Sequence, residues 1–176
     1  MVDQTVCFYP VIEKHPRMEK VTIDEIDIER NPMEVHSVRR PISQALGMTD
    51  FAMNYFELEP DESFSGGFHT HHDQEEVFYI QEGVATFDTE DGEVAVEAGD
   101  VIRFAPGEFQ HGYNDSDERV VGFAFGAPGA RHDWSEIESL IYCQECEEEV
   151  GHGLELIDGS AFRMTCTACE NTFTLS

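Results

Sequence analysis

A chain of 176 residues, 40% hydrophobic and 11% aromatic, has enough apolar material for one core and a small appendage. Its 37 acids face 10 bases, giving a formal net charge of −27 at pH 7, and of those bases only Lys14 and Lys20 are lysines. This balance offers no basic patch to a phosphate backbone, which excludes a nucleic-acid partner. It is the composition of a halophilic protein, whose carboxylates share a surface in molar salt because the Debye length there is about 3 Å.

No run of about 18 apolar residues occurs, and the N-terminus lacks the basic and apolar regions of a secretory signal. No membrane association is expected, and the expected location is cytoplasmic. Thirteen Phe, with frequent Val and Ile between Gly-containing turns, favour β structure. Residues 1–44 mix short alternations such as "KVTIDEIDIE" with Pro10, Pro16, Pro32 and Pro41, the pattern of an arm or of edge strands. From residue 45 to 130 short strands follow one another: "FAMNYFELEP", "EEVFYIQEG", "VATFDTEDG", "EVAVEAGDVIRFAPG" and "RVVGFAFGAPG". Glu-Gly, Asp-Gly and Pro-Gly breaks separate them, which predicts a barrel or a double-sheet sandwich. Residues 131–142 are predicted as a linker helix, with Trp134, Ile137 and Ile141 on one stripe and Ser135 as its cap. Residues 143–176 form a separate unit carrying two cysteine pairs.

The stretch "FHTHHDQEE", residues 68–76, puts three histidines and three acids into nine positions. On a strand, residues two apart share a face, so His69 and His71 converge on one point while His72 faces away. Glu76 begins a second alternation with Phe78 and Ile80, and the intervening turn can swing its carboxylate toward the same point; Glu75 falls on the opposite face. Beyond the Pro106-Gly107 turn, His111 offers a third imidazole. Three imidazoles and one carboxylate make a mixed N/O shell suited to a divalent Fe, Mn, Ni, Co or Zn ion.

These residues resemble the metal-binding motifs of the cupin superfamily. The first motif, G-x5-H-x-H-x3,4-E-x6-G, is matched by His69, His71, Glu76 and Gly83, with Ser63 at the leading glycine; the gap back from Gly83 selects Glu76 over Glu75. The second, G-x5-P-x-G-x2-H-x3-N, is similar to Gly99, Pro106, Gly107, His111 and Asn114, although Gly99 and Pro106 are one residue too far apart and His111 and Asn114 are off the usual spacing. The resemblance implies an all-β fold, a cupin β-barrel of jelly-roll type, with a metal held by His69, His71, Glu76 and His111.

Cys143, Cys146, Cys166 and Cys169 form C-x2-C-x19-C-x2-C, a spacing at which two knuckles present four thiolates to a tetrahedral Zn²⁺; two disulfides are the alternative. Between the pairs a hairpin is predicted at Asp158-Gly159, which resembles a zinc ribbon, with His152 a substitute donor. Glu147 and Glu170 follow the second cysteine of each pair, where such knuckles often carry Gly. Cys7 stands alone as a small apolar residue.

Three functions fit. One is a metal-dependent enzyme, oxygenase-like or isomerase-like, acting on a small molecule inside the barrel, with Tyr55, Arg103 or Tyr113 orienting it. Another is a noncatalytic binding or regulatory module whose ribbon contacts a protein partner. The third is a structural accessory subunit. A homodimer is compatible with all three.

Overall fold

The computed structural model describes residues 18–131, 133–159 and 161–175; Cys7 lies outside them. The strands are β1 (Val38–Pro41), β2 (Ala52–Leu58), β3 (His69–His71), β4 (Glu75–Glu82), β5 (Val84–Thr89), β6 (Gly92–Glu97), β7 (Val101–Phe104), β8 (Gln110–Tyr113), β9 (Val120–Ala127), β10 (Ile137–Cys143), β11 (Glu148–Ile157), β12 (Ala161–Cys166) and β13 (Thr172–Leu175). One four-residue helix, Ile42–Ala45, lies between β1 and β2. Among the described residues, no helix is long and apolar enough to cross a membrane.

Two sheets face each other, one ordered β1-β2-β9-β4-β7 and the other β13-β12-β11-β10-β3-β8-β5-β6. Period-two alternation decides which side chains fill the space between them. Phe56 and Leu58 from β2, Phe78 and Ile80 from β4, Ala85 and Phe87 from β5 all point inward and are buried. Each such Phe, Ile or Leu contributes about 1.5–3 kcal/mol relative to exposure. Gly83, at φ +80°, turns β4 into β5 where a side chain would strike the Arg119 carbonyl. The first 44 residues do supply an edge strand: β1 borders β2, with Arg39 opposite Phe56 and Arg40 opposite Tyr55.

The linker helix predicted for residues 131–142 is not formed. Trp134–Glu136 make one 3-10 turn, capped by Asp133 accepting from the Ser135 N–H at 3.0 Å, and Ile137–Cys143 are strand β10. Residues four apart share a face in either geometry, so Ile137 and Ile141 suit both. The β-branched pair and an open edge on β3 decide the outcome. Ile137 pairs with His71 and Ser139 with His69, and the other edge of β10 pairs with β11. The barrel and the C-terminal hairpins are therefore one continuous eight-stranded sheet, and the boundary near residue 143 interrupts no hydrogen-bonded ladder.

Candidate metal centre

Strand parity places His69 and His71 inward on β3, their rings 5.2 Å apart between centroids, and both are buried. Glu76, at the start of β4, approaches from the facing sheet. Its carboxylate lies 3.4 Å from His71 Nε2 and 4.0 Å from His69 Nε2. One donor atom from each of the three falls within 4.8 Å of the other two. His69 Nδ1 sits 2.9 Å from the Gly67 carbonyl, so that nitrogen carries the proton and the Nε2 lone pair faces the centre.

Burial pushes the His69 imidazole below its ordinary pKa and takes His71 down to about 4, leaving both neutral and ready as ligands. Burial also raises Glu76, against the opposing pull of His69 and the Gln110 amide. Among the described residues, Glu76 has two neutral imidazoles as its ion-pair partners and no lysine or arginine, so the buried carboxylate lacks a cation there. A divalent ion fits that deficit and this donor set.

His72 and Glu75 face outward, as parity requires. His72 Nε2 is 2.9 Å from Glu138, and Glu75 accepts from Arg103 Nε at 2.6 Å. His111 is not brought to the cluster. It sits outward on β8 opposite Asp88, 4.0 Å from that carboxylate, with its ring against Tyr113. The inward position belongs to Gln110, which is 2% exposed and whose Nε2 donates to Glu76 at 2.8 Å and lies 3.5 Å from His69 Nε2. The register of β8 is fixed one step further along by Gly112, where any side chain would collide with the Phe87 ring. The spacing departures in the second motif were the available signal: Gly99, Gly107 and Asn114 keep the family intervals if Ala105 stands for the proline and Gln110 for the histidine.

The triad opens into a cavity of about 180 Å³. Phe56, Phe64 and Phe78 line it from the barrel, and Ile137, Leu140 and Phe162 line it from β10 and β12. Tyr55, Arg103 and Tyr113 do not reach it. Tyr55 bonds Glu57 on the outer face of β2, Arg103 is exposed beside Glu75, and Tyr113 donates to Asp88. The positions that do reach it are Asn54 and Phe56 on β2, together with Asn31, His36 and Arg39 from the segment read as an arm.

The second cluster joins the turn after β10 to the turn after β12. The four cysteines are free thiols, with Cys143 and Cys169 Sγ 3.6 Å apart and Cys146 and Cys166 Sγ 3.8 Å apart. A tetrahedral ion with metal–sulfur bonds of about 2.3 Å needs sulfurs about 3.8 Å apart. Burial pushes the Cys166 thiol up, but the backbone N–H groups of Cys169 and Ala168, together with the Cys169 and Cys143 thiols, bring it down to about 6. Glu147 and Glu170 close the two knuckles at φ +59° and +62°. His152 stays out of this cluster, its Nδ1 2.8 Å from the Val150 carbonyl.

Residues 54–126 match the family model described as a cupin domain. No curated protein matches the chain. Solved structures similar to it include the polyketide cyclase RemF from Streptomyces resistomycificus, at 18% identity and TM-score 0.60, covering 72% of this chain and 88% of that one. A sugar phosphate isomerase of the cupin superfamily from Silicibacter pomeroyi is 18% identical at TM-score 0.56, covering 89% and 92%. A predicted oxalate decarboxylase from Thermotoga maritima is 23% identical at TM-score 0.53, covering 62% and 99%. At these identities the likeness shows the fold alone. The family match and the neighbours together support the cupin superfamily, and the all-β fold is of cupin type.

Proposed function

We propose that the chain is a metal-dependent cupin enzyme acting on a small molecule held between the barrel and strands β10–β13. The observation that carries this is the position of His69, His71 and Glu76, whose donor atoms converge on one side of a cavity with aromatic and aliphatic walls. The proposed barrel ion is a divalent transition metal. When bound, it supplies a Lewis acid to a ligand oxygen. Protein side chains do the rest. The Gly67 carbonyl fixes the tautomer and aim of His69, Gln110 orients the Glu76 carboxylate, and the aromatic walls exclude water. Three protein donors leave coordination positions for substrate, which favours chemistry over mere storage. For the four-cysteine cluster we propose Zn²⁺ in a structural role.

The test is metal content across single substitutions in the full chain, with the cysteine-bound metal counted separately. His69→Ala, His71→Ala and Glu76→Gln should lose the barrel ion, while His72→Ala, Glu75→Gln and His111→Ala keep it. Retention of that ion by His71→Ala, or its loss in His72→Ala, would refute the assignment.

A further inference from the structure

We propose that this cavity recognises a small organic monocarboxylate, and that Arg39 is the residue that selects it; the inference rests on the cavity being the ligand site. Among the described residues that line it, Arg39 is the only lysine or arginine. Parity on β1 aims it there, since it lies opposite the inward Phe56 while Arg40 lies opposite the outward Tyr55. Its side chain is 19% exposed, an unusual position for one of only ten basic residues in a chain of charge −27.

The plain alternative is a structural ion pair with Glu29, 3.0 Å from Arg39 Nη1. That pairing is incomplete. The Glu29 side chain is 43% exposed, and its other oxygen accepts from Gln44 at 3.0 Å. A guanidinium has five N–H donors in a planar fork, and among the described residues only Nη1 has a partner. The free edge matches a carboxylate, which it can grip in bidentate fashion.

A second observation points to a polar ligand independently. His36, 6% exposed, lies on the same wall with Nδ1 3.1 Å from the Ser63 carbonyl, while its buried Nε2 has no hydrogen-bond partner among the described residues. With Nδ1 donating to the Ser63 carbonyl, that Nε2 is an acceptor, and it calls for a hydroxyl or N–H donor on the body of the ligand rather than for its carboxylate. One guanidinium in the lining, already shared with Glu29, suits a single negative charge. The limited volume and aromatic lining suit a compact apolar body on the acid.

The experiment is fluorine NMR titration of the full-length protein in molar KCl, comparing para-fluorobenzoate with the isosteric para-fluorobenzamide. The acid should bind at least about tenfold tighter than the amide, and Arg39→Gln should erase that preference. Glu29→Gln should move it the other way, tightening the acid several-fold by freeing the guanidinium, and this variant leaves Arg39 in place should Arg39→Gln misfold. An ion pair with a purely structural role predicts no change in acid binding for Glu29→Gln, and that result overturns the proposal. So does an acid affinity unchanged in Arg39→Gln but lost in His71→Ala, which would put the carboxylate on the metal. Failure of the wild-type chain to prefer acid over amide up to about 10 mM also overturns it. Arg39-dependent acid binding by protein that takes up no barrel metal would instead sink the metal reading and leave this inference standing.

Discussion

At the scale of single residues, His69, His71 and Glu76 were legible because strand parity and the interval back from Gly83 converge on them. His111 is the chemically obvious third donor in sequence, but its one-residue offset from the motif interval goes with an outward place on β8, apart from the other three. Gln110 carries no metal signature in sequence; only the register of β8, set by Gly112 against Phe87, reveals it. Gln110→Leu removes the amide that orients Glu76 and should weaken barrel metal binding by about 10–100-fold, the usual cost of losing a group that positions a ligand. Gln110→His adds an imidazole at the same point and should at least recover wild-type affinity. Competitive titration with a metal indicator distinguishes the two, and equal affinities for all three proteins would place Gln110 outside the site. The pH dependence follows from His71. Its pKa is about 4 folded and 6.5 unfolded, so the unfolded chain binds the proton more readily between those values. The group's contribution is fully present above pH 6.5 and is lost as pH falls toward 4, by about 3 kcal/mol at roughly 1.4 kcal/mol per unit. Denaturant midpoints of protein with the barrel site emptied should therefore drop across that window, and should drop less in His71→Gln.

At the scale of elements, the strands of the barrel could be read from alternation and turns, but the role of two segments could not. Residues 1–44 read as an arm or edge strands because their apolar spacing is short and proline-broken, and nothing in that pattern announces that His36 and Arg39 line the cavity wall. Strand β10 looked helical because its apolar residues are four apart, and nothing local announces that β3 has an unpaired edge awaiting it. The cysteine knuckles were legible down to their irregularity. Glu147 and Glu170 were flagged for standing where Gly is usual, and both adopt the left-handed conformation, each closing its turn through an N–H bond to the first cysteine's carbonyl at 2.9 and 3.0 Å. An L-residue pays about 1–2 kcal/mol for that conformation. Glu147→Gly and Glu170→Gly should each stabilise the C-terminal strands by about 1 kcal/mol after the added flexibility of the unfolded chain is counted. Hydrogen exchange of β11 and β12 amides would register it as slower opening, and faster exchange in both variants would contradict the strain.

At the scale of the whole molecule, one sheet carries both the His69–His71 pair and the four cysteines, with Glu76 reaching the histidines from the facing sheet, since β10 pairs His71 and His69 of β3 on one edge and β11 on the other. From sequence, the C-terminal unit reads as independent. The ladder argues that Cys166→Ser, by loosening β11–β13, also frees the edge of β3 and opens the cavity wall, so the barrel ion should bind roughly tenfold more weakly. Unchanged barrel affinity in that variant would restore the picture of two separate modules.

Charge acts on the same scale. The arginines on the barrel and hairpin surface are already engaged: Arg103 with Glu75, Arg119 with Glu57 and Glu82, and Arg163 with Glu155. With 37 acids against 10 bases, most carboxylates have no such partner. In dilute buffer of about 0.1 M their repulsion reaches over about 10 Å, far enough to span neighbouring side chains on one strand face; in molar salt it reaches about 3 Å. Exposed pairs of this kind are worth about 0–1 kcal/mol each, too little to offset the repulsion. Screening the unpaired majority should outweigh the weakening of those few pairs, so the melting temperature should rise by about 10 °C or more between dilute and molar KCl. Melting in KCl and in potassium acetate at matched ionic strength separates screening from ion-specific exclusion, because screening predicts the same rise in both. A melting temperature that stays level from dilute to molar salt would mean that the acidic excess does not destabilise the fold, and would remove the argument for a halophilic protein.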